Sequence, residues 1–120
     1  MDKSTDLITL PIKIKSLNEM YRAHWAVKKR LKQEYALLIR NQMNLNKIKK
    51  ISEPEKVSLY ILSFRNRKID YDNLVGGCKH LVDALCDEGF LYDDSPKYIT
   101  KFIVEQMKSK TEYTLIKRIA

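Results

Sequence analysis

The sequence predicts one α+β domain with elements in the order β-α-β-α-β-β, a mixed or antiparallel sheet packed by two helices. Three observations predict it. The chain has 120 residues, enough for a single compact domain and too few for two. Apolar residues make up 44% of it, so a core is affordable without disulfides. Segments of period two alternate with segments of helical period along its length.

The elements follow in order. Residues 7–14 read as a strand, and Pro11 places it at a sheet edge or ends it early. Residues 16–22 read as a loop entering a helix. From about Trp25 to Leu45 the period is helical, with Val27, Leu31, Tyr35 and Leu38 on one side and Lys28, Lys29, Lys32 and Arg40 on the other. Residues 46–54 form a polar linker. Residues 56–64 alternate, with apolar side chains on both faces, and read as a strand buried on both sides. Arg65 to Asp72 continues in an extended path. Asn73 is placed to cap a helix running to about Glu88, which Gly89 stops. Residues 97–106 and 112–119 read as two strands joined through Lys108–Lys110 into a hairpin.

Charge is uneven. The formal net charge is +8, yet residues 70–94 carry one basic residue against seven acidic ones. The flanking segments are +10 and +4. An acidic island inside a basic chain points to a polyanionic partner held around a carboxylate centre. Cys78 and Cys86 lie eight positions apart in one predicted helix, roughly 12 Å along its axis, too far for a disulfide. With only two histidines and no CxxC pair, no zinc site is spelled out. The cysteines read as small buried hydrophobes, and reduced thiols suit the cytoplasm. Met1 to Lys15 holds no sustained apolar run, and no segment suits a bilayer, so no membrane partner is expected.

Asp70 and Asp72 flank Tyr71. In an extended segment alternate side chains share a side, which directs both carboxylates one way. Two like charges that close favour a cation between them, and Mg²⁺ takes oxygen ligands, often only one or two carboxylates. The plainer alternative is an ordinary helix cap. At helical spacing, Asp72, Gly76, Lys79 and Asp83 share a face, which brings Lys79 to the carboxylate side. Gly76 and Gly77 leave room for a ligand such as a DNA backbone, or serve a kink or close helix packing. Asp93 and Asp94 meet after the helix, and at most one of them joins the first pair. Such a centre hydrolyses phosphodiesters: a metal polarises the phosphoryl oxygen, and a lysine neutralises developing charge. Arg65, Arg67, Lys68 and the face with Lys28, Lys29 and Lys32 would hold DNA phosphates, with Asn73 beside them.

Asp70-Tyr71-Asp72-Asn73-Leu74, Lys79, Asp83-Ala84-Leu85, Gly89-Phe90 and Asp93-Asp94-Ser95-Pro96 together resemble the RusA family of Holliday junction resolvases. The resemblance is close over residues 70–96. It implies a homodimeric endodeoxyribonuclease that uses Mg²⁺, with Mn²⁺ able to substitute, to nick opposed strands of a four-way junction in recombination and repair. It also implies Asp70, Asp72 and Asp94 as metal-binding catalytic carboxylates and Lys79 as the catalytic lysine. Asp83 and Asp93 are candidates to support them, and for Asp83 three roles stay open: coordinating metal, orienting Lys79, or lying at the dimer surface. Two alternatives remain: a basic DNA-binding protein without catalysis, and a metal-dependent nuclease of flaps or forks.

Overall fold

The computed structural model describes residues 5–120; Met1–Ser4 of the N-terminal segment lie outside them. Eight elements follow in order: β1 (Thr5–Leu10), α1 (Leu17–Arg22), α2 (Trp25–Leu45), β2 (Val57–Arg65), α3 (Tyr71–Gly77), α4 (Lys79–Asp87), β3 (Ile99–Lys108) and β4 (Tyr113–Ile119). The strands form one mixed sheet in the order β1-β4-β2-β3. The fold is α+β. The helix expected from about Trp25 to Leu45 forms over those bounds as α2, and two breaks divide the helical segments, one between α1 and α2 and one between α3 and α4.

The first division corrects the loop assigned to residues 16–22. Ser16 accepts from the Glu19 amide at 3.1 Å, and Glu19 accepts from the Ser16 amide at 3.2 Å. This reciprocal cap satisfies two amides that a helix start leaves free, and it turns the segment into α1. His24 then caps α2 through its ring nitrogen. Tyr35, Ile39 and Met43 of α2 are buried against the sheet.

The second division falls at Cys78, whose ψ of −11° interrupts the turn between α3 and α4. The glycines before it serve packing, so the room they leave is already filled by protein. A Cβ on Gly77 would collide with the Lys15 carbonyl oxygen, and one on Gly76 would lie 2.7 Å from Leu17 Cδ2. Nor does Asn73 cap this helix. Asp70 is the cap residue, and Asn73 lies within the first turn. Gly89 does end α4, at φ +81°, where a side chain would be strained.

The predicted C-terminal hairpin does not form. β3 pairs in parallel with β2, β4 pairs antiparallel with β2, and β2 therefore lies between them. α3 and α4 supply the crossover that a parallel pair needs. The link from β3 to β4 instead passes over the end of β2. There the Ser109 amide donates to the Arg65 carbonyl at 2.7 Å, and the Asn66 amide donates to Glu112 at 3.0 Å.

β1 ends before Pro11 and lies at the sheet edge, as the proline dictates. β2 is buried on only one face. Val57, Leu59, Ile61, Ser63 and Arg65 face the helices and are buried, whereas Tyr60, Leu62 and Phe64 on the other face are half-buried. Among the described residues, no helix is long and apolar enough to cross a membrane.

Candidate active site

The site begins where β2 ends. Arg65 is only 3% exposed, and its guanidinium donates to the Ile14 carbonyl at 2.6 Å and to Ser63 Oγ at 3.3 Å. It was expected to hold DNA; burial removes it from that surface. It instead ties β2 to the turn before α1. Arg67 and Lys68, two and three residues further on, are exposed.

The next residue, Ile69, is fixed by a side chain from β3. Its amide donates to Gln106 Oε1 at 3.0 Å, and its carbonyl accepts from Gln106 Nε2 at 2.6 Å. Asp70 follows directly, with φ −58° and ψ 143°, and its carbonyl accepts from the Leu74 amide at 3.0 Å. Asp72 lies inside the first turn of α3. The pair is therefore set by a helix start and not by strand alternation, which corrects the extended path expected through Asp72. The positive end of the helix favours both carboxylates. The Asp70 side chain makes no capping hydrogen bond, and neither carboxylate enters an ion pair among the described residues.

Lys79 is the first residue of α4 and is exposed. Because Cys78 breaks the helix, the phase expected to carry Asp72 to Lys79 does not run unbroken between them. Lys79 belongs to a basic corner instead. Partial burial lowers the pKa of His80, Asp83 opposes that, and Lys28, Lys79 and Lys32 lower it further. The charges of two α2 lysines are thus felt at the start of α4, at one half-buried imidazole. Sequence reading passed over His80, because only its neighbours on α2 give it this setting. Lys32 is partly engaged by Asp87 at 3.4 Å, and Lys29 is exposed.

Asp94 lies elsewhere. β3 starts beside the start of β2, since Val57 pairs with Ile99 and the Val57 amide donates to Tyr98 at 2.8 Å. Asp94 lines a hollow with Val82, Pro96, Ile99 and Phe102, and Phe102 pairs with Leu59. Ile69 is held at the level of Ser63, four residues further along β2. The two levels are roughly 13 Å apart along the strand. The Cys86 thiol is pushed up to about 12, first by burial and then by the negative charges of Asp94, Asp93, Asp83 and Asp87. The Asp94 amide donates to Asp93 Oδ1 at 2.8 Å. Among the described residues, no three His, Cys, Asp or Glu side chains are grouped to hold a metal ion. The structure thus keeps Asp70 with Asp72 on one short turn, and among the described residues it groups no third carboxylate with them to hold a metal ion.

The donor chemistry of the first pair nevertheless fits a hard divalent ion. Both are oxygen ligands on an anchored backbone, and Mg²⁺ commonly takes one or two protein carboxylates and completes its shell with water and phosphate. No protein-family model matches the chain, and no curated protein matches it.

Proposed function

We propose that this protein is a Mg²⁺-dependent endodeoxyribonuclease that nicks branched DNA, with the four-way junction as substrate and a homodimer as the working form. The observation that carries the reading is the Asp70–Asp72 pair: two carboxylates without a cation partner among the described residues, on a turn anchored by Gln106, in a chain of net charge +8. A protein that only bound phosphates would lose affinity by presenting such a pair. Mg²⁺, when bound, would polarise the phosphoryl oxygen and lower the pKa of a water so that hydroxide is available near neutral pH.

The chain's own residues do the rest. Asp70 and Asp72 would hold the ion, and Lys79 would neutralise charge on the phosphate or the leaving oxygen. Arg67, Lys68, Lys28 and Lys29 would carry flanking phosphates. A junction has approximate two-fold symmetry, so a two-fold dimer would bring one such site to each of two strands.

The position of Asp94 favours a second reading, DNA binding without catalysis, because the third carboxylate of the resemblance stands away from the pair. One experiment separates them. Labelled four-way junction, flap, fork and linear duplex are incubated with and without Mg²⁺, for the parent, Asp72→Asn and Asp94→Asn. Paired nicks on the junction alone support resolution, and nicks on flaps or forks move the reading to those substrates. Binding without nicks on any substrate supports the second reading. Equal loss in Asp94→Asn and Asp72→Asn would put Asp94 among the metal ligands; retained nicking would leave a two-carboxylate centre.

A further inference from the structure

Positions 25, 28, 29 and 32 are spaced three and four apart on α2 and so share one face. They are Trp25, Lys28, Lys29 and Lys32, with the tryptophan at the head of a lysine row. Trp25 is 68% exposed and is the only tryptophan in the chain. Its setting is built rather than loose. It is the first residue of α2, and His24 before it accepts from the Ala26 amide at 3.2 Å. The His24 and Trp25 rings lie 5.5 Å apart, inclined at 38°. Tyr21, also exposed, and Arg22 precede this corner. Further down the same face, Lys32 reaches Asp87 of α4 at 3.4 Å.

A single exposed tryptophan is ordinary. An exposed indole at the head of a cationic row has the two parts that single-stranded nucleic acid requires, a stacking platform and a charged track for the backbone. Bases inside a duplex are covered by their neighbours, so only an unpaired base offers its face. A membrane surface fits less well. An interfacial helix turns its apolar side outward, whereas Tyr35, Ile39 and Met43 of α2 are buried in the core.

We infer that Trp25 stacks on an unpaired base of a nucleic-acid strand whose phosphates lie along Lys28 and Lys29. The inference rests on reading the α2 lysines as the DNA-holding surface, and it does not depend on cleavage. At a branched substrate, this contact would mark the branch, where bases leave the stack.

The lone tryptophan reports directly. The full chain, in EDTA, is titrated with oligothymidylate, blunt duplex, heparin and phosphatidylserine vesicles, while indole fluorescence is followed. The expected result is saturable quenching by oligothymidylate, weaker quenching by duplex, and none by heparin although heparin binds. Trp25→Ala should weaken oligothymidylate binding roughly 5- to 100-fold, with heparin affinity unchanged and most of the loss restored in Trp25→Phe. No quenching by oligothymidylate, equal quenching by heparin, a fluorescence response to vesicles alone, or parent-like binding by Trp25→Ala would each overturn it. Since no metal is present, absence of nuclease activity leaves this readout intact, and failure here leaves the cleavage reading intact.

Discussion

Gln106 holds both backbone groups of Ile69, accepting from its amide at 3.0 Å and donating to its carbonyl at 2.6 Å. A β3 side chain thus takes the place of a neighbouring strand for one residue, immediately before Asp70. The direction of the Asp70–Asp72 turn is set by this clamp. Gln106→Ala should remove both bonds and cost roughly 1–3 kcal/mol of stability. It should lower nicking more than DNA affinity, because the lysines of α2 are untouched. Denaturant midpoints and paired binding and cleavage assays check this. Equal losses in binding and cleavage would contradict it.

Gly77 is packed where no side chain fits. A Cβ there meets the Lys15 carbonyl, a backbone atom that cannot step aside. Alanine gains about 1 kcal/mol of helix propensity over glycine, but overpacking costs roughly 1–3 kcal/mol. Gly77→Ala should therefore destabilise on balance, and more than Gly76→Ala, whose obstacle is the Leu17 side chain. Urea unfolding of both variants gives the comparison, and a more stable Gly77→Ala would refute the packing account.

Arg40 grips Glu88 at two points, Nε to Oε1 at 2.8 Å and Nη2 to Oε2 at 3.0 Å. This bond, more than any other influence, holds the Glu88 carboxyl below the usual carboxylate range. A depressed folded pKa stabilises fully above the unfolded value. The contribution fades as pH falls below about 4 and is gone once the folded carboxyl protonates. Glu88→Gln should thus be less stable than the parent at neutral pH, and the gap should narrow in acid. Unfolding across that range tests it, and a gap that widens in acid would contradict it.

Burial pushes both thiols up to about 12. Cys78 is also sealed in the core, with Sγ donating to the Leu74 carbonyl at 3.3 Å. At neutral pH both should resist a thiol reagent in the folded protein and react promptly once it is unfolded in urea. Because Cys86 is half-buried, it should be the first to label as denaturant rises. Rapid labelling of Cys78 in native buffer would show the α3–α4 junction to be open.

Much of this was legible from local pattern. Pro11 fixed the end and the edge position of β1, Gly89 the end of α4, and the alternation through Val57, Leu59 and Ile61 the strand β2, although Tyr60, Leu62 and Phe64 suggested burial on both faces where only one is buried. The misreadings share a cause: partners distant in sequence. β3 and β4 are four residues apart, which suggests a hairpin, but the α3–α4 crossover delivers β3 to the outer side of β2. Arg65 looks like a phosphate contact until the Ile14 carbonyl is found above it. Asp70 and Asp72 look extended because the clamp that starts α3 at Tyr71 comes from Gln106, 37 residues away. Spacing alone gives Asp94 no level on the sheet; that follows from β3 running parallel to β2.

The central claim is that Asp70 and Asp72 form a metal-dependent cleavage centre. Its most direct measurement is the split between binding and nicking in Asp72→Asn on a labelled four-way junction. The parent should give paired symmetric nicks with Mg²⁺ and none without it. In the variant nicking should be lost while junction affinity holds or rises. Parent-like nicking by Asp72→Asn, or tight binding by the parent with no nick under Mg²⁺ or Mn²⁺, would contradict it.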